Sequence, residues 1–410
     1  MKKNFPFLRA AFTGLSLLLG ASYLFAGNTI ALGVLLNDHG KIANPRNLTG
    51  EVDFSGYYPV IDECEGLVFL PTPVAPGWNA LGTGLGSTVR AIAVSGNNVY
   101  VGGAFVDAGG NANADRIARW DGSTWHAMGT GVSSTVRAIG ISGSNVYVGG
   151  TFADAGGNTS ADNIARWDGT TWNPMGTGLN MVVRAITVSG TDVYVGGDFT
   201  DAGGNTSADR IARWDGTNWN ALGSGLSAAV FAIAVSGSDV YAGGDFLNAG
   251  GDANADYVAR WNGTSWNALG TTALSTGVNA IAISGTDVYV GGGFVNAGGN
   301  ASADYIARWD GSSWNALGTG PGGTIVWSIT ISGSNVYVGG DFTNAGGVAG
   351  AGGIARWNGT SWSALNTGLG SSALAIAVSG SNVYAGGNFT DGGGNLDVDR
   401  IGRWEGPACP

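Results

Sequence analysis

Short apolar segments, rich in β-branched and aromatic residues, alternate along most of the chain with clusters of Gly, Asn, Asp and Ser. One copy of this pattern contains four such segments, at residues 136–141, 146–152, 164–167 and 172–175. Runs of this length with such boundaries are typical of β-strands, and the Asp168-Gly169 turn before the last segment favours a tight hairpin because Gly adopts positive φ at little cost. The pattern therefore predicts a four-stranded antiparallel sheet.

The same unit returns along the chain at an almost constant distance. The tyrosines of the second segment mark seven copies, spaced 47, 47, 47, 48, 48 and 47 residues apart, at Tyr100, Tyr147, Tyr194, Tyr241, Tyr289, Tyr337 and Tyr384. Both faces of each predicted sheet are apolar, so each sheet needs a neighbour on either side. The sequence predicts an all-β fold, a seven-bladed β-propeller with four-stranded blades of 47–48 residues.

The two tryptophan series of the repeat are out of phase at their ends. The Trp that opens the fourth strand first occurs at Trp78, ahead of any complete unit, whereas the last unit ends its third strand at Trp404 with no fourth strand after it. A strand near the N-terminus can complete the last blade and leave no unpaired sheet edge between the first and last blades. We therefore expect the ring to be closed in this way.

The first residues have the pattern of a secretory signal. Lys2, Lys3 and Arg9 precede an apolar run at residues 10–19 that is too short to span a bilayer. Small residues that suit cleavage follow at Ala21, Ser22, Ala26 and Gly27, and cleavage is expected within residues 22–26. A retained membrane anchor is the alternative. The predicted organisation is a signal peptide at 1–26, a non-repeat leader or cap at 27–76, the propeller at 77–406 and a short tail at 407–410.

The charge balance restricts the partners. The chain has 29 acidic and 18 basic residues and a net charge of −11. Nucleic acid and anionic membrane surfaces require clustered cations, so neither is expected as a partner. We expect an exported protein, extracellular or at the cell surface, that has no membrane span once mature and is a monomer.

The repeat resembles those of known families. Its pattern Val-Tyr-Val-Gly-Gly-x-Phe, then Ala-Gly-Gly, then Ile-Ala-Arg-Trp-Asp-Gly-x-x-Trp, from Trp78 to Trp404, is similar to repeats of fungal cortical polarity-marker proteins and of bacterial secreted propeller proteins. It is more distantly similar to kelch repeats, which share the double glycine and a spaced aromatic pair. The resemblance implies a propeller fold, and for the fungal members it implies attachment to a membrane.

Catalytic residue types are scarce. The two histidines are His39 and His126, and His126 occupies a position where other blades carry Asn173, Asn220 and Asn267. A Ser-His-Asp or Cys-His site would have to use His126 without a surrounding motif, and a copper site would need several His ligands. We therefore predict a non-enzymatic protein. A propeller-type hydrolase or lyase acting on an extracellular polysaccharide is the alternative.

The loops between the second and third strands contain clusters of oxygen-bearing side chains. The richest copy has Asp391, Asn395, Asp397 and Asp399, and hard cations such as calcium bind several such oxygens. Asn, Asp and Gly are also the residues that tight turns select. Calcium at these four residues and plain turn chemistry are both open, and no other cofactor is expected.

Positions that differ between blades are the candidates for ligand binding. The third-strand arginine is present in every blade and is expected to build the blade by pairing with turn carboxylates or stacking on Trp. By contrast, the second position of the innermost strand varies around the ring: Arg90, Arg137, Arg184, Phe231, Asn279, Trp327 and Leu374. This strand start should lie on the face that carries the long loops. Three neighbouring arginines opposite aromatic residues suit an acidic or sugar-like ligand, while packing differences between blades are the alternative.

The two cysteines, Cys64 and Cys409, are expected to form a disulfide. An exported chain meets an oxidising environment, and the closing strand would bring both cysteines to the last blade. Two unpaired thiols near the chain ends are the alternative. Taken together, the sequence predicts a secreted binding or adhesion scaffold whose long-loop face holds a glycan, a small molecule or a protein.

Overall fold

The computed structural model describes residues 77–405 in full, together with the backbone of four strands nearer the N-terminus. Contacts between Cα atoms divide the chain into two units, Met1–Val74 and Ala75–Pro410. In the first unit, β1 (Thr29–Ala31) pairs in parallel with β2 (Glu51–Asp53), and β3 (Tyr57–Asp62) pairs antiparallel with β4 (Gly66–Pro71). The predicted signal peptide, Cys64 and Cys409 lie outside the described residues, so the export and disulfide predictions stay predictions.

The second unit is a ring of seven four-stranded antiparallel sheets, which confirms the predicted propeller. After β5 (Gly77–Ala80), the first three blades follow in chain order: β6 (Val89–Ser95), β7 (Asn98–Gly103), β8 (Ile117–Trp120) and β9 (Trp125–Ala127); β10 (Val136–Ser142), β11 (Asn145–Gly150), β12 (Ile164–Trp167) and β13 (Trp172–Pro174); and β14 (Val183–Ser189), β15 (Asp192–Gly197), β16 (Ile211–Trp214) and β17 (Trp219–Ala221).

The remaining blades repeat this order. They consist of β18 (Val230–Ser236), β19 (Asp239–Gly244), β20 (Val258–Trp261) and β21 (Trp266–Ala268); β22 (Val278–Ser284), β23 (Asp287–Gly292), β24 (Ile306–Trp309) and β25 (Trp314–Ala316); β26 (Gly323–Ser332), β27 (Asn335–Phe342), β28 (Ile354–Trp357) and β29 (Trp362–Ala364); and β30 (Ala373–Ser379), β31 (Asn382–Gly387) and β32 (Ile401–Glu405). The first strand of each blade is innermost and packs against the first strands of both neighbouring blades.

The last blade is completed by the N-terminal strand of the ring, as the tryptophan count predicts. Strand β5 pairs antiparallel with β32, and Trp78 lies opposite Trp404. The Trp78 indole donates a hydrogen bond of 3.1 Å to the Leu365 carbonyl of blade 6. The same bond links every blade to the one before it, as in Trp125 to Leu81 at 3.0 Å and Trp172 to Met128 at 2.8 Å. The ring is therefore closed by the same contacts that join its interior blades.

The core is divided into seven apolar clusters, and each contains residues of two adjacent blades. One of them joins Tyr384 and Ile401 of blade 7 to Val89 and Phe105 of blade 1. The double glycine that ends the second strand permits this approach. A Cβ at Gly149 would lie 2.2 Å from Val183 Cγ1 of the next blade, and a Cβ at Gly150 would lie 2.1 Å from the Thr135 carbonyl oxygen. The first glycine of each pair thus sets the distance between neighbouring sheets, and the second permits a close approach to the start of the first strand in its own blade.

One-turn 3₁₀ helices occupy the long loops between second and third strands in six blades: Ala108–Gly110, Ala202–Gly204, Ala249–Gly251, Ala297–Gly299, Ala345–Gly347 and Gly392–Gly394. These loops and the connections between blades share one face of the ring, called here the long-loop face. Within the part of the chain that the structure describes, no helix has the length and apolar character needed to cross a membrane.

Candidate functional site

A β-bulge at the start of each innermost strand places one side chain per blade at the ring axis. In blade 2, Val136 pairs with Gly150 and Ala138 pairs with Gly149, so Arg137 is the extra residue between two consecutive partners. The same shift occurs in every blade, for example between Val89 and Ala91. A bulge redirects the side chain of its extra residue out of the normal alternation. Each of the seven blades therefore directs the side chain of its variable position in the same way.

The seven extra residues together line one cavity of about 340 Å³ at the mouth of the ring on the long-loop face. These are the residues predicted to bind a ligand because their position varies between the seven repeats: Arg90, Arg137, Arg184, Phe231, Asn279, Trp327 and Leu374. The structure thus brings all seven predicted ligand-binding residues together in one cavity. We call this cavity the ring mouth.

The ring mouth has a basic side, formed by blades 1 to 3, and the three arginines there are not equivalent. Arg184 makes a bidentate pair with Asp198, with Nε to Oδ1 at 2.9 Å and Nη2 to Oδ2 at 2.8 Å. Its guanidinium carbon also lies 5.3 Å from the centre of the Phe231 ring, which is cation–π geometry. Arg184 is therefore neutralised and fixed in place.

Arg137 is half-buried, and its Nε atom is buried without a hydrogen-bond partner among the described residues. Burial lowers the pKa of its guanidinium, and the positive charges of Arg90 and Arg184 lower that pKa further, while Asp198 acts in the opposite direction. Arg90 is exposed and has no ion pair with any described residue. Two positive charges of the ring mouth are therefore left without a counter-ion in the described part of the chain.

The opposite side of the ring mouth is aromatic and apolar. The Trp327 indole donates a hydrogen bond of 3.0 Å to Asp341 Oδ2, and the Ser372 hydroxyl donates to Asp341 Oδ1. Asp341 thus fixes the orientation of the indole ring. Below the mouth, the axial channel is lined mainly by Ala and Ile from the next two positions of each innermost strand, so the polar groups are concentrated at the mouth.

The comparison of the seven repeats did not identify Asp198, Asp341 and Ser372, which form the hydrogen bonds that hold Arg184 and Trp327 in place. Asp198 and Asp341 both follow the double glycine, a position that also varies between blades: Ala104, Thr151, Asp198, Asp245, Gly293, Asp341 and Asn388. The rule that selected the mouth residues would have found these two carboxylates if it had been applied to this second position.

Of the proposed calcium ligands Asp391, Asn395, Asp397 and Asp399, the side chains of Asn395 and Asp399 serve as turn caps, and Asp391 and Asp397 supply the backbone N–H groups that are capped. Asp399 Oδ1 accepts the Asp391 backbone N–H at 3.1 Å, and Asn395 Oδ1 accepts the Asp397 N–H at 3.1 Å. The equivalent bond recurs in other loops, as from Asp107 to Asp115 Oδ1 at 2.8 Å. Across residues 77–405, no three His, Cys, Asp or Glu side chains are grouped as a metal site. Calcium binding at these loops stays untested and carries no further argument.

His126 also has a turn role in this structure. Its Nε2 atom lies 2.6 Å from Asp121 Oδ2, just as Asn173 Nδ2 lies 2.9 Å from Asp168 Oδ2 in the next blade. The repeated third-strand arginines pair with the first residue of the second strand in most blades, as Arg213 does with Asp192 at 2.9 Å. These contacts lie at the short-turn face, away from the ring mouth, and they stabilise the blades.

No protein-family model and no curated protein matches the chain, so the resemblance to cortical polarity-marker, secreted or kelch repeats stays a prediction. Solved structures, β-propellers among them, are similar to it at low identity. The computationally designed protein Ika8 is 18% identical, with 81% of this chain and all of that chain covered and a TM-score of 0.48. YCF48 from Cyanidioschyzon merolae is 15% identical, with 81% and 99% covered and a TM-score of 0.48. The WD40 propeller domain of Doa1 is 10% identical, with 80% and 96% covered and a TM-score of 0.47.

Proposed function

We propose that this chain is a non-enzymatic binding protein that holds a small carboxylate-bearing ligand, an acidic sugar, at the ring mouth. One observation carries the proposal: Arg137 is half-buried beside two other arginines, and its Nε atom has no partner among the described residues. A cation in this position is unfavourable without an anion beside it. A carboxylate between the guanidinium groups of Arg90 and Arg137 would supply the missing negative charge.

The remaining groups of the ring mouth suit a sugar better than a bare anion. The cavity of about 340 Å³ lies at the lower end of the range for small-molecule sites. Trp327 and Phe231 provide flat apolar surfaces, and Asn279 provides an amide that both donates and accepts. None of the seven lining residues is a carboxylate or a histidine, which favours holding a ligand over acid–base catalysis.

The location forms part of the same proposal. The basic and apolar pattern of residues 2–19 supports export, and an exported acidic protein would meet extracellular glycans and acidic metabolites. Sequencing the N-terminus of the exported protein tests this part, since a mature chain that begins near residue 27 is expected. A chain that keeps residues 1–26 would overturn it.

Calorimetric titration with glucuronate tests the binding function. Arg137→Ala should weaken binding by about tenfold or more, because a hydrogen bond to a charged group contributes about 1.5–3 kcal/mol. The matched control is Arg260→Ala, which removes a positive charge that lies 3.7 Å from Asp239 at the short-turn face, and it should bind as the wild type does. Replacing Arg90, Arg137 and Arg184 together should abolish binding and lower the melting temperature no further than Arg184→Ala alone does, because of the three only Arg184 has a carboxylate partner among the described residues. Unfolding of that triple variant would instead favour a packing role for the arginines.

A further inference from the structure

A second cavity, next to the ring mouth, lies between blades 6 and 7 on the long-loop face. It has a volume of about 700 Å³ and is lined by glycine backbone, by Asp341 and by the hydroxyls of Thr324, Thr343, Thr367, Ser371 and Ser372. We call it the blade 6–7 cleft. Three of these hydroxyls, on Thr343, Thr367 and Ser371, are exposed and have no hydrogen-bond partner in the described part of the chain.

The cleft exists because one side chain of the repeat is missing in blade 6. The residue before the third strand has positive φ in every blade, and in six of them it carries a side chain: Arg116, Asn163, Arg210, Tyr257, Tyr305 and Arg400. Arg210 Nη1 donates to the Asp198 carbonyl, and so covers the end of the second strand of its own blade. In blade 6 this residue is Gly353. The end of the second strand, at Asp341, is consequently left uncovered.

The hairpin of blade 6 is also longer than the others and forms one wall of the cleft. Strands β26 and β27 contain 10 and 8 residues, against 7 and 6 in blade 5. The extension pairs Gly323 with Phe342 and Ile325 with Asp341. It follows the Gly- and Pro-rich connection at residues 318–324. The departures of blade 6 from the repeat thus lie together around one cavity.

Asp341 connects the cleft to the ring mouth. Its Oδ2 atom accepts the Trp327 indole N–H of the mouth at 3.0 Å, while its Oδ1 atom accepts the Ser372 hydroxyl, which lines the cleft. A single side chain therefore separates the two cavities. A ligand with one unit in the mouth needs only to pass Asp341 to place its next unit in the cleft.

The structure assigns the blade 6–7 cleft as a second subsite that binds a neutral sugar unit attached to the acidic unit in the ring mouth. This inference rests on the proposed function. The cleft lining has no cation, and its one carboxylate already accepts two hydrogen bonds, so it would repel a second acidic unit. The free hydroxyls and the glycine backbone suit a polyhydroxylated neutral unit. The ligand class is therefore an oligosaccharide in which an acidic unit is linked to a neutral one.

An acidic peptide fits the cleft less well. Peptides commonly bind by adding a strand to a free sheet edge. The backbone here is already occupied, because β27 pairs with both β26 and β28, and Gly353 N–H donates to the Phe342 carbonyl at 2.9 Å. The walls also offer few side chains that could form pockets for peptide side chains.

The test compares two probes by calorimetry: glucuronate, and a hyaluronan-type tetrasaccharide in which glucuronate alternates with N-acetylglucosamine. The tetrasaccharide should bind about tenfold more tightly than glucuronate. Gly370→Trp should remove this advantage and leave glucuronate binding unchanged. A Cβ at Gly370 would have only one neighbour, the Thr390 carbonyl oxygen at 3.7 Å, and its φ is not positive, so the added ring can enter the cleft without backbone strain. If the Trp variant is poorly folded, Gly370→Gln provides a smaller obstruction.

Gly86→Trp is the matched control, because Gly86 precedes the innermost strand of blade 1 as Gly370 precedes that of blade 7, and a Cβ there would have no neighbour within 4 Å. It should keep the tetrasaccharide advantage. If both probes bind but neither Gly370 variant affects the tetrasaccharide, the cleft inference is overturned and the proposed function stands. If glucuronate does not bind, or binds equally well to Arg137→Ala, the proposed function fails. An acidic peptide that binds more weakly to Gly370→Trp would also overturn the sugar assignment.

Discussion

At the scale of single residues, the ring mouth combines groups that stabilise the fold with one that does not. Arg184 has a bidentate carboxylate partner and an aromatic neighbour, whereas Arg137 has an Nε atom with no partner in the described region and two positive neighbours. A buried charge without a partner costs stability and is typical of functional sites. The two arginines should therefore respond to substitution in opposite directions.

We expect Arg137→Met to melt at a temperature equal to or above that of the wild type in the absence of ligand. The change removes the desolvation cost and the repulsion by Arg90 and Arg184, and it keeps a side chain of similar length. Arg184→Met is the matched control and should melt lower, since it leaves Asp198 without its cation. Thermal denaturation measures both. A marked loss of stability in Arg137→Met would show that Arg137 supports packing.

The Asp-Gly turns provide a test of pH dependence. The pKa of Asp168 lies well below its ordinary value, chiefly because its carboxylate accepts the backbone N–H of Thr171 and then that of Thr170. A depressed pKa in the folded state gives stability that is present above about pH 4 and is lost as the pH falls. Asn262 forms the same turn in blade 4, where its Oδ1 accepts the N–H groups of Thr264 and Ser265, each at 2.9 Å.

Asp168→Asn should therefore be less stable than the wild type at pH 7, because it lacks the ionised carboxylate that supplies this stability, and it should lose less stability on acidification. The neutral amide keeps an Oδ1 acceptor for the N–H groups of Thr170 and Thr171, lacks the Oδ2 acceptor for the Asn173 amide, and does not titrate. Urea denaturation at pH 7 and at pH 3 measures the difference, with Asp168→Ala as the control that loses the cap at both pH values. An equal acid loss in Asp168→Asn and in the wild type would contradict the assigned cause.

At the scale of the element, the double glycine of the second strand decides how closely the blades pack. We expect Gly149→Ala to destabilise the ring by about 1–3 kcal/mol, because its Cβ would lie 2.2 Å from Cγ1 and 2.9 Å from Cβ of Val183 in the next blade. Gly143→Asn is the control. Gly143 has a φ of 58°, which Asn tolerates, and nothing lies near its Cβ position. Chemical denaturation should separate the two variants, and equal stabilities would contradict the packing role.

The repeated pattern makes the elements predictable, and it also shows where prediction stops. The period of the tyrosines and the offset of Trp78 from Trp404 were enough for the blade number and the closing strand, because both depend on local patterns that recur. The same alignment selected Arg137 and the other mouth residues. It could not show that a bulge turns them towards the axis, because Val89-Arg90-Ala91 has no local signal for an extra residue.

The contacts that distinguish the blades depend on side chains far apart in sequence. The bond of Asp341 to Ser372 crosses from blade 6 to blade 7, and the blade 6–7 cleft results from a missing side chain at Gly353. Neither follows from local propensity, since a glycine in a Gly-rich loop has no distinctive pattern. Only the three-dimensional arrangement shows that the irregular copy of the repeat surrounds a cavity.

At the scale of the whole molecule, ring closure depends on one strand from the N-terminal side. Deletion of residues 1–85 removes β5 and the buried side chains of Trp78, Leu81 and Leu85. We expect a loss on the order of 5 kcal/mol or more, because large buried apolar side chains contribute about 2–5 kcal/mol each, and we expect aggregation through the exposed edge of β32. Deletion of residues 1–76 keeps β5 and is the control. A soluble product of unchanged melting temperature from the longer deletion would contradict closure by β5.

The disulfide prediction also concerns the whole ring. A bond between Cys64 and Cys409 would close nearly the entire propeller into one covalent loop, and chain entropy alone would contribute on the order of 5–6 kcal/mol as an upper figure. Mass spectrometry of a non-reduced digest of freshly exported protein should find the two cysteine peptides linked. Two free thiols that react with an alkylating agent would show that the bond is absent.

The most direct test of the account is a crystal structure of the protein soaked with glucuronate. We expect the sugar in the ring mouth, with its carboxylate within hydrogen-bond distance of the Arg137 guanidinium and beside Arg90, and with its ring against the aromatic side formed by Trp327. The Arg184–Asp198 pair should be unchanged, since it needs no further partner. An empty ring mouth at saturating glucuronate, or a sugar bound only elsewhere on the ring, would contradict the assignment of the binding site.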